Sequence, residues 1–494
     1  MDLRPSFASA CATGADGSSR TSFYAQAVRY ALATAPFAVA ALALLGLRWS
    51  APRAGLATLL VALAGAAAAG LGAGRLGASV LDGSLVAARV LYVLFAGLLL
   101  YRVLAAGGAI DAVSAYLNRI EPRPAALALG VVVGASPFFE SVTGFGVAIV
   151  ISAPILLAGG LSPLRAATLA CWGQCAVPWG ALAVGTVLGA DLAGVSLESL
   201  SDASAILNLP LYPLYGLAAL ALAGGREALR DHAGEALVLG LAAGLGALST
   251  SVFVAPELSG AIGGLCAAAA FLARRAGRVG VAAVPGLALA PYGVLLLLLG
   301  PTSGVAPVKR SLEAAGPGFE GPAPWLLVSA LFAAAVLRLD SVAARSALKT
   351  TARQWLPVAL ATITFVVTGQ LVAESGGAAL LAGGAAAGLG AAYPAVVPLI
   401  GALGGALTGS NVGSNALFMP FQAEAAAATG KSTLAIAAIQ NVAGSHASLL
   451  APQRLVLAAA ATGLQGREGE IARLAIAPVA LTLVLLAGYG VLAS

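Results

Sequence analysis

Long apolar segments, each about the length of a membrane-spanning helix, dominate the chain. A helix needs about 20 apolar residues to cross the hydrocarbon core of a bilayer. Segments of about this length with few or no charges lie at residues 30–47, 54–74, 86–104, 204–223, 280–300, 355–373 and 474–492. Their Leu, Ala, Val and Gly residues do not alternate with polar residues, which predicts helices and argues against barrel strands.

The composition excludes an ordinary soluble protein. Of the 494 residues, 60% are hydrophobic and only 9% are charged, whereas a soluble domain carries about 25% charged residues. In water such a chain would expose large apolar patches. We therefore predict an all-α polytopic membrane protein with about 12 transmembrane helices.

The charged residues predict orientation and exclude a nucleic-acid partner. The net charge of +6 comes from Lys and Arg residues scattered through short connections, without a basic stripe. Most of them lie on alternate connections, which we assign to the cytoplasmic side of a plasma (inner) membrane. Residues 1–22 lack the apolar region of a signal peptide and are expected to form a disordered polar tail.

Two apolar stretches carry polar, helix-breaking centres. In residues 125–160 the centre contains Pro137, Gly144 and Gly146, and in residues 394–428 it is Thr408–Asn415. Because Pro and clustered Gly interrupt helices, we predict two re-entrant hairpins with unwound tips. The alternative is that each stretch is an ordinary pair of membrane crossings.

Each hairpin precedes a helix with a polar interruption, so the chain divides into two similar halves. The broken helices are predicted at 165–189 and 433–460, the second interrupted at Gln440–His446. The predicted units are N-terminal helices at 23–81, a first repeat at 82–225, central scaffold helices at 226–339 and a second repeat at 340–494. The first hairpin opens to the cytoplasm and the second to the outside, which makes an inverted repeat with a binding site at the bilayer midplane.

The polar breaks are the candidate substrate site. Unwound backbone is tolerated in a membrane where protein encloses it or where it lines a wet cavity. Helices that start at such breaks direct N–H groups and positive dipole ends at the gap, which suits a small carboxylate. The candidate substrate-binding residues are Thr143, Gly144, Gly146, Gln174, Thr408, Ser410, Asn411, Ser414, Asn415, Gln440 and Asn441. The alternative is packing, because Gly and Ser are also common where membrane helices touch.

Two titratable residues in the breaks are candidates for proton coupling. Glu140 is the one carboxylate deep in the first hairpin, where a charge costs about 2.5–3.5 kcal/mol on insertion scales. Burial disfavours its ionised form, so it can exchange a proton or serve as a structural hydrogen-bonding group. His446 is the second candidate. Arg454 follows Pro452 near a helix end and is expected to extend to the cytoplasmic interface. The alternative is that it pairs with the substrate.

The sequence argues against enzymatic chemistry. With two histidines in the chain, His-based catalysis and metal sites have little support, and no P-loop precedes a nucleotide-binding domain. Cys171 and Cys175 lie four residues apart on an apolar helix and are expected to pack. No cofactor and no metal are predicted.

Several motifs together resemble the lactate permease family, over roughly residues 25–494. They are Pro137-Phe-Phe-Glu140 with Thr143-Gly-Phe-Gly146, Ser162-Pro-Leu-Arg-Ala-Ala167, Pro256-Glu-Leu258, Leu407-Thr-Gly-Ser410 with Ser414-Asn-Ala-Leu-Phe418, Gln440-Asn441, Pro452-Gln453 and Gly463-Leu-Gln-Gly-Arg-Glu468. The resemblance implies an elevator-type, proton-coupled importer of L-lactate and glycolate. Two positions depart from the family, which usually has an acidic residue at Asn411 and a Lys at Ser448.

The leading hypothesis is therefore proton symport of a small 2-hydroxy-monocarboxylate. Transport of another organic anion, or coupling to Na⁺, is the alternative within transport. A membrane-embedded enzyme or a scaffold is the alternative outside it. The partners are a small organic anion, H⁺ and the lipid bilayer, and a homodimer is left open.

Overall fold

The computed structural model describes residues 17–144, 146–275, 277, 284–316, 319 and 321–493, and every regular element in these ranges is helical. The first half contains α1 (Gly17–Ala41), α2 (Ala51–Ala68), α3 (Ala73–Ala106), α4 (Ala109–Ile120), α5 (Pro124–Gly130), α6 (Ser136–Thr143), α7 (Val147–Ala158), α8 (Pro163–Trp172), α9 (Gly180–Ala193), α10 (Leu197–Asn208) and α11 (Leu211–Phe253). The second contains α12 (Ser259–Ala273), α13 (Gly286–Gly304), α14 (Ala306–Ala315), α15 (Ala323–Val336), α16 (Ser341–Glu374), α17 (Gly377–Leu389), α18 (Tyr393–Thr408), α19 (Asn411–Thr429), α20 (Thr433–Ala447), α21 (Pro452–Thr462) and α22 (Glu468–Ala493).

The number of apolar helices agrees with a polytopic membrane protein. Ten helical segments within the described ranges are long and apolar enough to cross a bilayer, or twelve if each of two bent helix pairs counts as one span. The segment Pro124–Thr143 is among the ten. The count alone therefore does not distinguish a re-entrant arm from a full crossing.

The structure contains two helix–turn–helix units, of which the first lies in the interior of the protein. Helices α5 and α6, joined by the π-helical segment Val131–Ala135, turn back at Gly144 and Gly146 into α7. The end of α7 also contacts α4, the helix before this unit, since Asn118 Nδ2 donates to Ile155 O at 3.2 Å. In the helical segment Pro124–Thr143, 89% of the most apolar 18-residue stretch is buried inside the protein, against 22% in the segment Tyr24–Leu44. Protein therefore encloses the first arm of this unit.

The second unit has the same form. Helix α18 ends at Thr408, the chain turns at Gly409 and Ser410, and α19 runs back along α18. Ser414 Oγ donates to Gly401 O at 3.0 Å across the two arms. Each unit is followed by a bent helix pair: 62° between α8 and the segment Val177–Ala193, and 43° between the segment Thr433–Leu450 and α21.

Three local predictions about helix ends were wrong. Residues 17–22, expected in the disordered tail, begin α1, and the rest of that tail lies outside the described residues. Asn411–Asn415 belong to the first turns of α19, not to unwound backbone, because Asn and Ser are well tolerated where the first N–H groups need no helical partner. Gln440–His446 lie inside continuous α20, and the break comes at Ser448–Ala451, just before Pro452.

Candidate functional site

The tips of the two helix–turn–helix units meet at one narrow cleft with a cavity volume of about 20 Å³. A water molecule needs about 10–15 Å³ of such volume, so in this conformation the cleft is nearly closed, and a substrate has to separate its walls to enter. Its lining residues are Glu140, Gly144, Val177, Gly180, Ala181, Val184, Gly185, Ser410, Asn411, Val412 and Arg454. The two polar breaks identified in the sequence therefore face the same space, together with the breaks that precede α9 and α21.

Strained backbone forms one wall of the cleft. Ala181, Leu182 and Ala183 have φ angles of 50°, 55° and 65°, in the left-handed region that costs about 1–2 kcal/mol per L-residue. Gly144 has φ 70° and ψ −171°, and a Cβ atom added there would lie 2.6 Å from Ala181 Cβ. Such strain clusters at functional sites because the surrounding structure must maintain it. It brings the backbone of the first tip and of α9 close together beside the cleft.

Glu140 is fully buried at the first tip and accepts hydrogen bonds from three directions. Its Oε1 accepts from Gly146 N at 3.1 Å and lies 3.5 Å from Arg454 Nη1. Its Oε2 accepts a longer bond from Gln174 Nε2 at 3.4 Å. One charge and two polar donors therefore compensate this carboxylate, as a buried acid requires.

Arg454 does not extend to the interface, so that prediction was wrong. The residue is 4% exposed, and its Nε donates to Gly409 O at 2.9 Å. Pro452 and Gln453, which start α21, are exposed, whereas Arg454 and Leu455 face the interior of the protein. The guanidinium thereby connects the second tip, through the Gly409 carbonyl, with Glu140 of the first.

Three asparagines form a network behind the second tip. Asn411 Nδ2 and Asn415 Nδ2 both donate to Asn441 Oδ1, at 2.8 and 2.9 Å. Asn441 Nδ2 donates to Thr186 Oγ1 and Ser204 Oγ, both at 3.0 Å. Of the three asparagines only Asn411 lines the cleft, so Asn415 and Asn441 support it from behind.

Several other predicted site residues make bonds within the fold and do not line the cleft. Thr143 and Thr408 donate to the carbonyls four residues earlier in their own helices, at 2.7 and 2.8 Å. Ser414 Oγ is bonded to Gly401 O and accepts from Gln440 Nε2 at 3.1 Å. The bond between Gln440 and Ser414 holds the second unit against α20.

His446 lies in a separate buried contact. Its Nε2 is 2.7 Å from Asn208 Oδ1 and its Nδ1 is 3.1 Å from Tyr215 Oη, with the two rings stacked. These partners belong to α10 and α11, and His446 does not line the cleft. In the part of the chain that the structure describes, no three His, Cys, Asp or Glu side chains group as metal ligands would.

Sequence reasoning gave a role for Arg454 at the substrate only as the second alternative, and it missed the backbone of residues 180–185. A signal for Arg454 was present, because a carboxylate buried as deeply as Glu140 needs a cation nearby. Arg454 follows the break at Pro452 in the second bent helix pair, which corresponds to the break at Pro178 in the first. The left-handed turn at Ala181–Ala183 had no comparable signal, since Ala and Leu do not favour that conformation.

Comparison with known proteins agrees with the motifs. The L-lactate permease family profile matches residues 30–276 and 319–493, which include every residue that lines the cleft. A protein named L-lactate permease from Streptococcus iniae is 31% identical over 182 residues, which cover 36% of this chain and 38% of the relative. The matched stretch thus spans well under half of that relative's length. On the family match, which extends over most of the sequence, this multi-pass membrane protein belongs to the L-lactate permease family.

Proposed function

We propose that the protein is a secondary transporter that imports a small 2-hydroxy-monocarboxylate, such as L-lactate or glycolate, together with a proton. The observation that carries the proposal is the buried pair of Glu140 and Arg454 at the cleft where the two tips meet. Arg454 is the one cationic side chain that lines this cleft among the described residues. A guanidinium presents paired donors that match a carboxylate, so the substrate anion competes with Glu140 for it.

This competition explains how a proton would follow the anion. When the substrate carboxylate binds Arg454, Glu140 loses its counter-charge in a fully buried position, and a buried charge without a partner is unfavourable. Glu140 then takes up a proton, and the loaded site carries one substrate anion and one proton. An anion moving inward alone opposes an inside-negative potential by about 2.3 kcal/mol per 100 mV. Proton uptake removes that cost and lets the pH gradient drive accumulation.

We further propose that the two helix–turn–helix units are re-entrant hairpins of an inverted repeat, in an elevator-type carrier of the plasma (inner) membrane. Three features support this arrangement: the shared order of a long helix, a helix–turn–helix unit and a bent helix pair; the burial of the first arm; and the meeting of the tips. Its test is a cysteine introduced at Ser410. The proposal is supported if a reagent labels this cysteine from one side of the membrane and substrate either blocks that labelling or shifts it to the other side. Labelling that does not change when substrate is added contradicts the proposal.

Uptake of labelled L-lactate by proteoliposomes tests the transport proposal. An imposed inward proton gradient in sodium-free buffer should drive accumulation, and a protonophore should abolish it. Empty liposomes serve as the control. Absence of uptake, or uptake that requires Na⁺ and ignores the proton gradient, would contradict the proposal.

A further inference from the structure

Asn411 lines the cleft and has one unpaired hydrogen-bond acceptor. Its Nδ2 donates to Asn441 Oδ1 at 2.8 Å, whereas its Oδ1 is buried and has no partner. The residue is 5% exposed and lies beside Ser410, two positions from Gly409, whose carbonyl Arg454 binds. A buried acceptor without a donor is unfavourable, so a ligand that enters the cleft and supplies a donor would satisfy this oxygen.

A series of hydrogen bonds fixes the orientation of this amide. Thr186 Oγ1 has one hydrogen, and Pro178 O is much closer to it than Asn441 Oδ1, which is 3.4 Å away, so we assign the hydrogen to Pro178 O. Toward Asn441 this hydroxyl then accepts, from Nδ2 at 3.0 Å, and Asn441 Oδ1 takes its donors from Asn411 and Asn415. If the amide of Asn411 were flipped, its Oδ1 would face Asn441 Oδ1, and two acceptors would lie against each other without a hydrogen between them. The network therefore holds Asn411 with Nδ2 toward Asn441 and with Oδ1 free.

Two of the polar groups that line the cleft, Arg454 and Asn411, complement the two functional groups of a 2-hydroxy acid. Arg454 carries donors only, which suit the carboxylate, and Asn411 Oδ1 is an acceptor, which suits a hydroxyl donor. We propose that Asn411 Oδ1 accepts the hydrogen bond of the substrate 2-hydroxyl and thereby selects 2-hydroxy acids over 2-oxo and unsubstituted acids. The inference rests on the proposed function, since it assigns the second contact of the same substrate.

The chemistry predicts a definite order of affinities. A 2-oxo group places an acceptor against an acceptor, and an unsubstituted acid leaves Asn411 Oδ1 unpaired. Losing this one bond should weaken binding by about 5- to 150-fold, the equivalent of about 1–3 kcal/mol. A site built to hydrogen-bond a substrate hydroxyl rejects analogues without it for the same reason.

The test compares L-lactate, pyruvate and propionate on the full-length protein. Apparent affinities come from ligand-induced thermal stabilisation of the purified protein and from competition with labelled L-lactate uptake. The parent should prefer lactate to both analogues by the factor given above. In Asn411→Ala the preference should fall to about one, with little change in the affinity for propionate.

Asn415→Ala is the matched control. Asn415 donates to the same Asn441 oxygen and also has an unpartnered Oδ1, but it does not line the cleft. This variant should keep the preference of the parent for lactate, even if it unfolds at a lower temperature.

Equal affinity of the parent for all three acids would by itself overturn the inference. A preference for lactate that is as large in Asn411→Ala as in the parent would also overturn it. Lactate uptake would then still stand as the proposed function. Failure of all three acids to bind or to be transported would overturn both.

Discussion

Glu140 Oε1 and Arg454 Nη1 lie 3.5 Å apart, although 314 residues separate them in the chain. Glu140 belongs to the first helix–turn–helix unit and Arg454 to the bent helix pair that follows the second. A buried ion pair thus joins the first helix–turn–helix unit to the second half of the protein at the cleft. Any change that removes one charge should alter both substrate binding and the stability of this junction.

Replacing Arg454 should remove the carboxylate site. Truncating one partner of a buried charged contact typically costs about 2–5 kcal/mol, so Arg454→Gln should lower the apparent affinity for L-lactate by roughly 30-fold or more. Arg454→Lys retains the charge without the planar fork and should bind at an intermediate level. The measurement is the concentration dependence of uptake in proteoliposomes. Parent-like affinity in Arg454→Gln would place the carboxylate elsewhere.

The same pair predicts non-additive effects on stability. Arg454→Gln alone leaves Glu140 buried without its cation and should destabilise the protein by about 3–5 kcal/mol. Combining it with Glu140→Gln removes both charges and should restore part of that loss. Thermal unfolding of the single and double variants in detergent tests this. A double variant less stable than either single one would show that the two residues act independently.

Replacing Gly144 by alanine should destabilise the protein more than the same replacement at a glycine of similar φ that has no neighbouring atoms. Its φ of 70° with ψ −171° is adopted almost only by Gly, and a Cβ would lie 2.6 Å from Ala181 Cβ. Gly463 has φ 73°, but a Cβ there would meet nothing within 4 Å. Gly463→Ala should cost about 1–2 kcal/mol, and Gly144→Ala should cost more and also impair uptake. Equal unfolding temperatures for the two variants would contradict this account of the cleft wall.

A second buried ion pair predicts a pH-dependent stability. Glu121, which precedes the first unit, is buried and bonded to Arg123 and to Arg275 Nε at 2.8 and 2.6 Å. Burial raises the pKa of Glu121, but hydrogen bonds from Arg123 and Arg275 outweigh that effect and hold the pKa at about 2, below its ordinary value of 4.5. Its stabilising effect is therefore complete above about pH 4.5 and is lost as the pH falls toward about 2.

Glu121→Gln should consequently unfold at a lower temperature than the parent at neutral pH, and the difference should shrink as the pH falls below about 4.5. The matched control is Glu470→Gln. Glu470 pairs with Arg467 at 2.7 Å at the surface, where ion pairs contribute little. A difference between parent and Glu121→Gln that grows on acidification would contradict the assignment.

The sequence predicted the helical class, the two helix–turn–helix units and the convergence of their tips on one cleft. These features follow from apolar length and from Gly and Pro, whose effects on the backbone are local. The roles of individual polar residues depend on long-range contacts. Ser414 was predicted to contact substrate, but it bonds to Gly401 and Gln440 within the fold.

Asn411 illustrates the same limit. The sequence indicated that it would donate to the substrate, whereas in the structure its Nδ2 bonds to Asn441 and its Oδ1 is the free atom. Which end of an amide faces a site depends on partners such as Thr186 and Pro178, which lie more than 200 residues away in the chain. Local patterns carry no information about such partners.

Counterflow and accumulation in proteoliposomes with Glu140→Gln test the central claim most directly. The amide is similar in shape to the protonated carboxyl and cannot ionise, so a site locked in that form should still exchange labelled L-lactate across the membrane. It should fail to concentrate L-lactate under an imposed proton gradient, while the parent does so. If Glu140→Gln accumulates L-lactate under the gradient as well as the parent, Glu140 does not carry the coupling proton.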